Sequence, residues 1–434
     1  MAVNNLFIGS LVMIVVVAVI VTVILIALKD DDSSTEQIVK YVATGVPVIG
    51  TTANPAGTKT LLYSYDGSSW IKTSSDPGFY NTDRFPGSNV AYGNDDWVAV
   101  GKNIINNKNI LYSSNGKTWT TASRSDGVSP FYNTLGDQYP SGAGIFYSTE
   151  QKLWVAVGKS DNNNNILYSS NGKTWDVATM LSNGSSVTMD GGTAMDGGAD
   201  VVYSNQLNSW VVVGKTTDDT NNILYSNNGI SWQTTTTTGA SPFSGSGNDQ
   251  VSKFGGKGVA VGTSPSGSDI FAAIGMDATS NLIISTNGVN WERKTSTHED
   301  GTSFFGGISS YPVSINYDSE NKIWVVVGQN DDFEKNIVYS TDLSTWKIAS
   351  IAGGISPFSG GVSADQMGGR KVIYSNANKL WLAVGDGGDP ATKGTTILTS
   401  TNGISWNNTA MTTGTCYPFG IANESVAFGI ASRN

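Results

Sequence analysis

One stretch, Asn109-Ile110-Leu111-Tyr112-Ser113-Ser114-Asn115-Gly116-Lys117-Thr118-Trp119, returns in close copies along most of the chain, and it limits the possible folds more than any other feature. The copies are Leu61 to Trp70, Asn165 to Trp175, Asn222 to Trp232, Asn281 to Trp291, Asn336 to Trp346 and Thr396 to Trp406, seven in all. Successive tryptophans are 49, 56, 57, 59, 55 and 60 residues apart. A unit of that size cannot bury its apolar face alone, so a steady period near this length implies blades or solenoid turns stacked on one another.

Each copy has its own local chemistry. Ile-Leu-Tyr-Ser is a short run of strand formers, Asn-Gly or Asp-Gly is a strong two-residue hairpin signal, and the Trp falls on the return strand. The recurring residues are Ser64, Asp66, Gly67 and Trp70, then Ser113, Asn115, Gly116 and Trp119, then Ser169, Asn171, Gly172 and Trp175. They continue with Ser226, Asn228, Gly229 and Trp232, and with Ser285, Asn287, Gly288 and Trp291. The last two sets are Ser340, Asp342 and Trp346, where Leu343 takes the glycine position, and Ser400, Asn402, Gly403 and Trp406. The Ser hydroxyl and the Asn or Asp side chain can both hydrogen-bond the turn backbone. The Trp covers the hairpin base while its indole N–H finds a carbonyl.

The pattern Ser-x-Asn/Asp-Gly-x-Ser/Thr-Trp resembles the Asp-box of sialidase-type and related β-propellers, over roughly residues 60 to 406. It has one residue fewer between the acidic position and the glycine than the usual form, and only Asp66 and Asp342 keep the carboxylate. The resemblance implies a propeller whose Asp-boxes are structural turns, away from any catalytic centre.

A second repeated element precedes each hairpin, an apolar strand ending in glycine: Trp97 to Gly101, Trp154 to Gly158, Trp210 to Gly214, Gly258 to Gly262, Trp324 to Gly328 and Trp381 to Gly385. A further copy, Ser425 to Gly429, stands at the C-terminus, and another strand precedes each, as at Ala143 to Ser148 and Lys371 to Ser375. Four strands per period make a propeller blade. The expected fold is therefore all-β, a seven-bladed β-propeller of four-stranded antiparallel blades, preceded by one transmembrane helix. The first hairpin lacks inner strands, so the two chain ends are expected to complete one blade together, with the C-terminal segment supplying them. The rival arrangement takes Val46 to Gly50 as an inner strand and leaves Phe419 to Ala431 to begin an eighth blade.

Residues 6–28 carry no charge and are long enough to cross a bilayer core. The expected division is an anchor at 1–29, a stalk at 30–58 and the ring at 59–434, which makes the lipid bilayer one partner and the protein a single-pass membrane protein of a virion or cell surface. Net charge is −10 and charged residues make up only 14%, which argues against nucleic acid as a partner, because phosphate neutralisation needs clustered Lys and Arg. A lone cysteine, Cys416, rules out an internal disulfide. The lone histidine, His298, rules out a multi-His metal centre and is expected in a surface loop.

Function is expected on the face opposite the turns, where the second-to-third loops carry Asp161, Asp218, Asp219, Asp331, Asp332, Asp386 and Asp389. No cofactor is expected beyond calcium, which paired carboxylates and amide oxygens can ligate. Asp137, Asp249 and Asp365, each followed by Gln, precede three inner strands and can ring the axis. Recurrent Ser-Pro-Phe segments such as Ser129-Pro130-Phe131 and Ser241-Pro242-Phe243 are expected to wedge between blades. The expected role is a non-enzymatic structural or recognition module binding a protein, whether capsid or receptor, or a glycan. The alternative, a sialidase-like glycoside hydrolase, would need an arginine cluster drawn from Arg84, Arg124, Arg293, Arg370 and Arg433.

Overall fold

The structure, a computed structural model, describes residues 37–46, 60–74, 79, 87–102, 109–131, 141–160, 165–181, 197–215, 222–237, 242–243, 255–264, 266–276, 280–306, 310–329, 335–351, 358, 368–386, 396–411 and 426–433. The apolar segment 6–28 lies outside them. No helix among the described residues is long and apolar enough to cross a membrane.

The described strands form seven sheets, each built on four antiparallel strands. In the third blade these are Ser141–Ser148, Leu153–Lys159, Ile166–Ser169 and Thr174–Val177, from the axis outwards. The second strand is apolar on both faces, since Trp154, Val155, Ala156 and Val157 are all fully buried. It reads as a continuous apolar run because neighbouring blades cover both its sides. Seven apolar clusters result, each drawing residues from two successive blades. Blades therefore hold one another, and a blade alone would expose both faces of its second strand.

A link not foreseen from sequence reinforces this. After the outer strand the chain crosses to the next blade and pairs in parallel with that blade's outer strand, as Ser123–Arg124 does with Thr174–Trp175 and Ser350–Ile351 with Ser405–Trp406. The first-to-second crossing has the matching hydrogen bond, from Ser74 N–H to Lys117 O at 2.9 Å. Ala410–Met411 closes the circuit on Ser69–Trp70.

The ends do share a blade, but not as expected. Val426–Ser432 is the innermost strand, whereas the second strand is Tyr41–Val46, inside the segment read as a stalk. Tyr41 pairs with Ser64 as Trp97 pairs with Ser113, so Tyr41 to Gly45 is the counterpart of Trp97 to Gly101. The compact unit accordingly begins at Val39. A tyrosine replaces the tryptophan and Thr44 interrupts the apolar run, which hid this copy in the sequence.

Three further expectations change. Gly258 to Gly262 belongs to the innermost strand of the fifth blade, Gly255–Thr263, and the true second strand is Asp269–Met276, in which Phe271 pairs with Ser285. The hairpin turn is wider than two residues: Leu111 pairs with Thr121 and Tyr112 with Thr120, so Ser113 to Trp119 forms the connection. His298 is buried, because Thr297–His298 is one of the parallel links and its ring lies 6.3 Å from that of Phe304.

Candidate functional site

In an antiparallel blade, the first-to-second and third-to-fourth connections lie at one end, here the turn face, and the other connections lie at the opposite loop face. On the turn face, Ser113 Oγ accepts from Gly116 N–H at 2.8 Å, and Asn115 Oδ1 accepts from Lys117 and Thr118 N–H at 2.8 and 2.9 Å. The same bonds recur at Ser64, Ser169, Ser226, Ser285, Ser340 and Ser400. Six of the tryptophans donate their indole N–H to the turn glycine's carbonyl at 3.0–3.2 Å. Asp66 and Asp342 do with a carboxylate what asparagine does elsewhere. Burial raises their pKa, but the backbone N–H groups aimed at them outweigh it and the net shift is downward.

Both ends of the ring lie on this face. Lys40 N–H donates to Ser64 O at 3.0 Å and Arg433 N–H to Lys40 O at 2.8 Å. The loop face is therefore free of the chain's entry and exit.

The axis is closed. Every innermost strand carries a bulge one step inside its loop-face end, which places Asn89, Gly144, Asp200, Gly258, Ser314, Lys371 and Gly429 at one level. The three glycines allow tight approach: a Cβ on Gly429 would lie 2.5 Å from Asn89 Cα, and one on Gly144 would lie 2.8 Å from Asp200 Cα. Across the opening, Lys371 Nζ of the seventh blade stands 3.1 Å from both carboxylate oxygens of Asp200 in the fourth. Asp200 also accepts from Val259 N–H at 3.4 Å.

Of the acidic residues expected to bind, only Asp386 lies among the described residues; Asp137, Asp161, Asp218, Asp219, Asp249, Asp331, Asp332, Asp365 and Asp389 lie outside them. Asp386 is 2% exposed and paired with Arg370 at 2.8 Å, so it is a structural ion pair and not a surface ligand. Burial opposes the charge on Arg370, but the Asp386 carboxylate outweighs it and holds the guanidinium charged. Among the described residues no group of three acidic, His or Cys side chains is placed to hold a metal. The four described arginines are dispersed: Arg124 lies on the second-to-third link, Arg293 on the fifth blade's outer strand, Arg370 on the seventh's innermost strand, and Arg433 over the Tyr92 ring.

Sequence reasoning missed two sets of residues. Asn109, Asn222, Asn281 and Asn336 start third strands and donate Nδ2–H to the carbonyl of the phenylalanine on the blade-to-blade connection, as in Asn109 to Phe131 O at 2.6 Å and Asn222 to Phe243 O at 3.1 Å. The phenylalanines are buried between blades as expected, and the recurrent Asn two residues before Leu, Ile or Val was the available signal. Lys102, Lys159 and Lys215 follow the glycine of the second strand in three successive blades and are buried.

The loop face also holds an open cleft of about 680 Å³ between the fifth and sixth blades. Its walls are Ser280 and Asn281 at the start of a third strand, Arg293 at the end of an outer strand with Thr295, Ser296 and Thr297 after it, and Ser303 to Gly306 on the connection.

Seven four-stranded blades, each packed on its two neighbours, make this protein a seven-bladed β-propeller. No family model matches the chain, and no curated protein does. Among solved structures it is similar to YCF48 bound to D1 peptide, at 12% identity over 80% of this chain and 85% of that one, TM-score 0.42. It is similar to the Niastella koreensis GH74 enzyme at 14% identity over 80% and 61%, TM-score 0.43, and to a Lactobacillus plantarum protein at 10% identity over 92% and 100%, TM-score 0.47. Likeness at this level concerns fold and passes no activity to this chain.

Proposed function

We propose that this protein is a non-enzymatic recognition module, tethered to a membrane through residues 6–28 at a virion or cell surface, that presents its loop face to a protein or glycan. The observation that carries this reading is the exit of both chain ends from the turn face, beside Ser64. Neither the first described strand nor the last leaves the ring on the loop face, so a partner can approach that face without meeting them. The hub supports the same reading: its opening is spanned by the Lys371–Asp200 pair, so the accessible chemistry lies on the loop face and not in an axial passage. Dispersal of the described arginines gives no support to carboxylate capture of the glycosidase kind.

The test uses the full chain in lipid nanodiscs, screened against glycan and surface-protein arrays. Binding of a hit is expected to be lost in Ser303→Arg, on the loop face, and kept in Ser170→Arg, on a turn. The opposite pattern would reject the assignment. Turnover of a fluorogenic sialoside, abolished in Arg84→Ala, would replace it with the hydrolase reading.

A further inference from the structure

We infer that the five Asn-Gly hairpin turns are latent deamidation sites, each held unreactive by the serine two residues before the asparagine. They are Asn115-Gly116, Asn171-Gly172, Asn228-Gly229, Asn287-Gly288 and Asn402-Gly403. The inference goes beyond the recognition reading above and does not depend on it.

An asparagine followed by glycine is open to attack by the next backbone nitrogen, because glycine has no side chain to hinder the approach. In the second blade the Gly116 nitrogen would give up its proton and bond to Cγ of Asn115, ammonia would leave, and a five-membered imide would form. Water then opens the imide at either carbonyl, giving aspartate or isoaspartate. Burial of the amide does not prevent this. All five asparagines are exposed, so water and base reach them, while the glycines beside them are buried.

Hydrogen bonds tie down both reacting groups. The glycine N–H donates to the serine Oγ at 2.8–2.9 Å in all five turns. A proton held in a buried hydrogen bond is harder to remove, so the nitrogen stays a poor nucleophile. The asparagine Oδ1 accepts two backbone N–H groups at 2.8–3.0 Å. It also lies 3.0–3.2 Å from the same serine hydroxyl. Cγ cannot turn toward the nitrogen without breaking these bonds. The glycine φ is 70–73° in every case, so the five turns share one geometry. The two products differ in consequence. Aspartate is accepted, since Asp66 and Asp342 already fill this place and each takes two backbone N–H groups at 2.8–2.9 Å. Isoaspartate routes the main chain through the side chain and lengthens it by a methylene, which breaks the register of the turn with the Trp119 indole bond to Gly116 O at 3.2 Å.

The experiment incubates the full chain, native or unfolded in urea, at mildly alkaline pH in heavy-oxygen water, and follows labelled products at each turn by peptide mass spectrometry. At every turn the native rate is expected to lie at least ~10-fold below the unfolded one, the rate equivalent of one hydrogen bond. Ser113→Ala is expected to raise the rate at Asn115 by ~10-fold and to leave the other four turns at the native rate. Asn222→Leu, which weakens a distant joint between blades, is the control, and Asn115 should react in it as in the unaltered chain. Equal native and unfolded rates, or no change at Asn115 in Ser113→Ala, would overturn the inference. So would a rise at Asn115 in Asn222→Leu as large as that in Ser113→Ala, or a rise shared by all five turns in Ser113→Ala, since either assigns the effect to loosening of the whole ring. Should Ser113→Ala fail to fold, Ser400→Ala puts the same question at Asn402.

Discussion

At the scale of single residues, the turn face depends on side chains replacing backbone partners. Ser113→Ala would leave the buried Gly116 N–H without its acceptor and is expected to lower stability by about 1–3 kcal/mol, measured by urea unfolding. Gly116 has φ +73°, and a Cβ there would stand 2.9 Å from Val39 Cγ1. Gly116→Ala should therefore cost at least about 1–2 kcal/mol. Leu343 shows what tolerance requires: its φ is 61°, and its side chain is repaid by burial in the core between the fifth and sixth blades. Asp66 and Asp342 add a dependence on acid. Their pKa values are lowered on folding, so their stabilisation is full above the unfolded value near 3.8 and is lost as pH falls through the folded value. The double variant Asp66→Asn, Asp342→Asn keeps the Oδ1 acceptor and should flatten the fall of the thermal midpoint between about pH 5 and 2.

At the scale of elements, the pinned connection and the parallel link carry the joints between blades. Asn222 Nδ2 donates to Pro242 O at 3.0 Å and Phe243 O at 3.1 Å, and Phe243 fills the gap between the fourth and fifth blades. Asn222→Leu leaves both carbonyls buried without that donor, and a loss of about 2–3 kcal/mol is expected from denaturant titration. Ser350 N–H donates to Ile404 O at 2.9 Å, so Ser350→Pro should release the sixth-to-seventh link. Hydrogen exchange would then rise in Ser405–Asn408 and stay unchanged in the inner strands. Much at this scale was legible, because strand, turn and Trp fall within one short window. The parallel links were not, since two residues as varied as Ser123–Arg124, Thr236–Thr237 and Ala410–Met411 carry no periodicity to read.

At the scale of the whole molecule, the ring is closed twice, by the shared blade and by the ion pair across the hub. Lys371→Met would leave Asp200 as an uncompensated buried carboxylate and should cost about 3–5 kcal/mol. Adding Asp200→Leu removes that charge and is expected to recover most of the loss, measured in a double-mutant cycle. Deleting residues 426–434 would bare the edge of Tyr41–Val46, and self-association by size-exclusion chromatography is the expected outcome.

What the sequence determined by itself was the unit and its number: seven hairpins with self-satisfied turns, because strand formers, turn acceptors and the covering Trp are local and repeat. Tertiary structure alone decided which copy fills which place. Tyr41 to Gly45 became a second strand only through its partners, Gly258 to Gly262 became an inner one, and Asp386 was drawn into a buried pair with Arg370. The Lys371–Asp200 contact joins residues 171 apart, and the cleft between the fifth and sixth blades is lined from separate stretches of chain. Neither has a local pattern, because both arise where separate blades meet, and that meeting is fixed only when the ring closes.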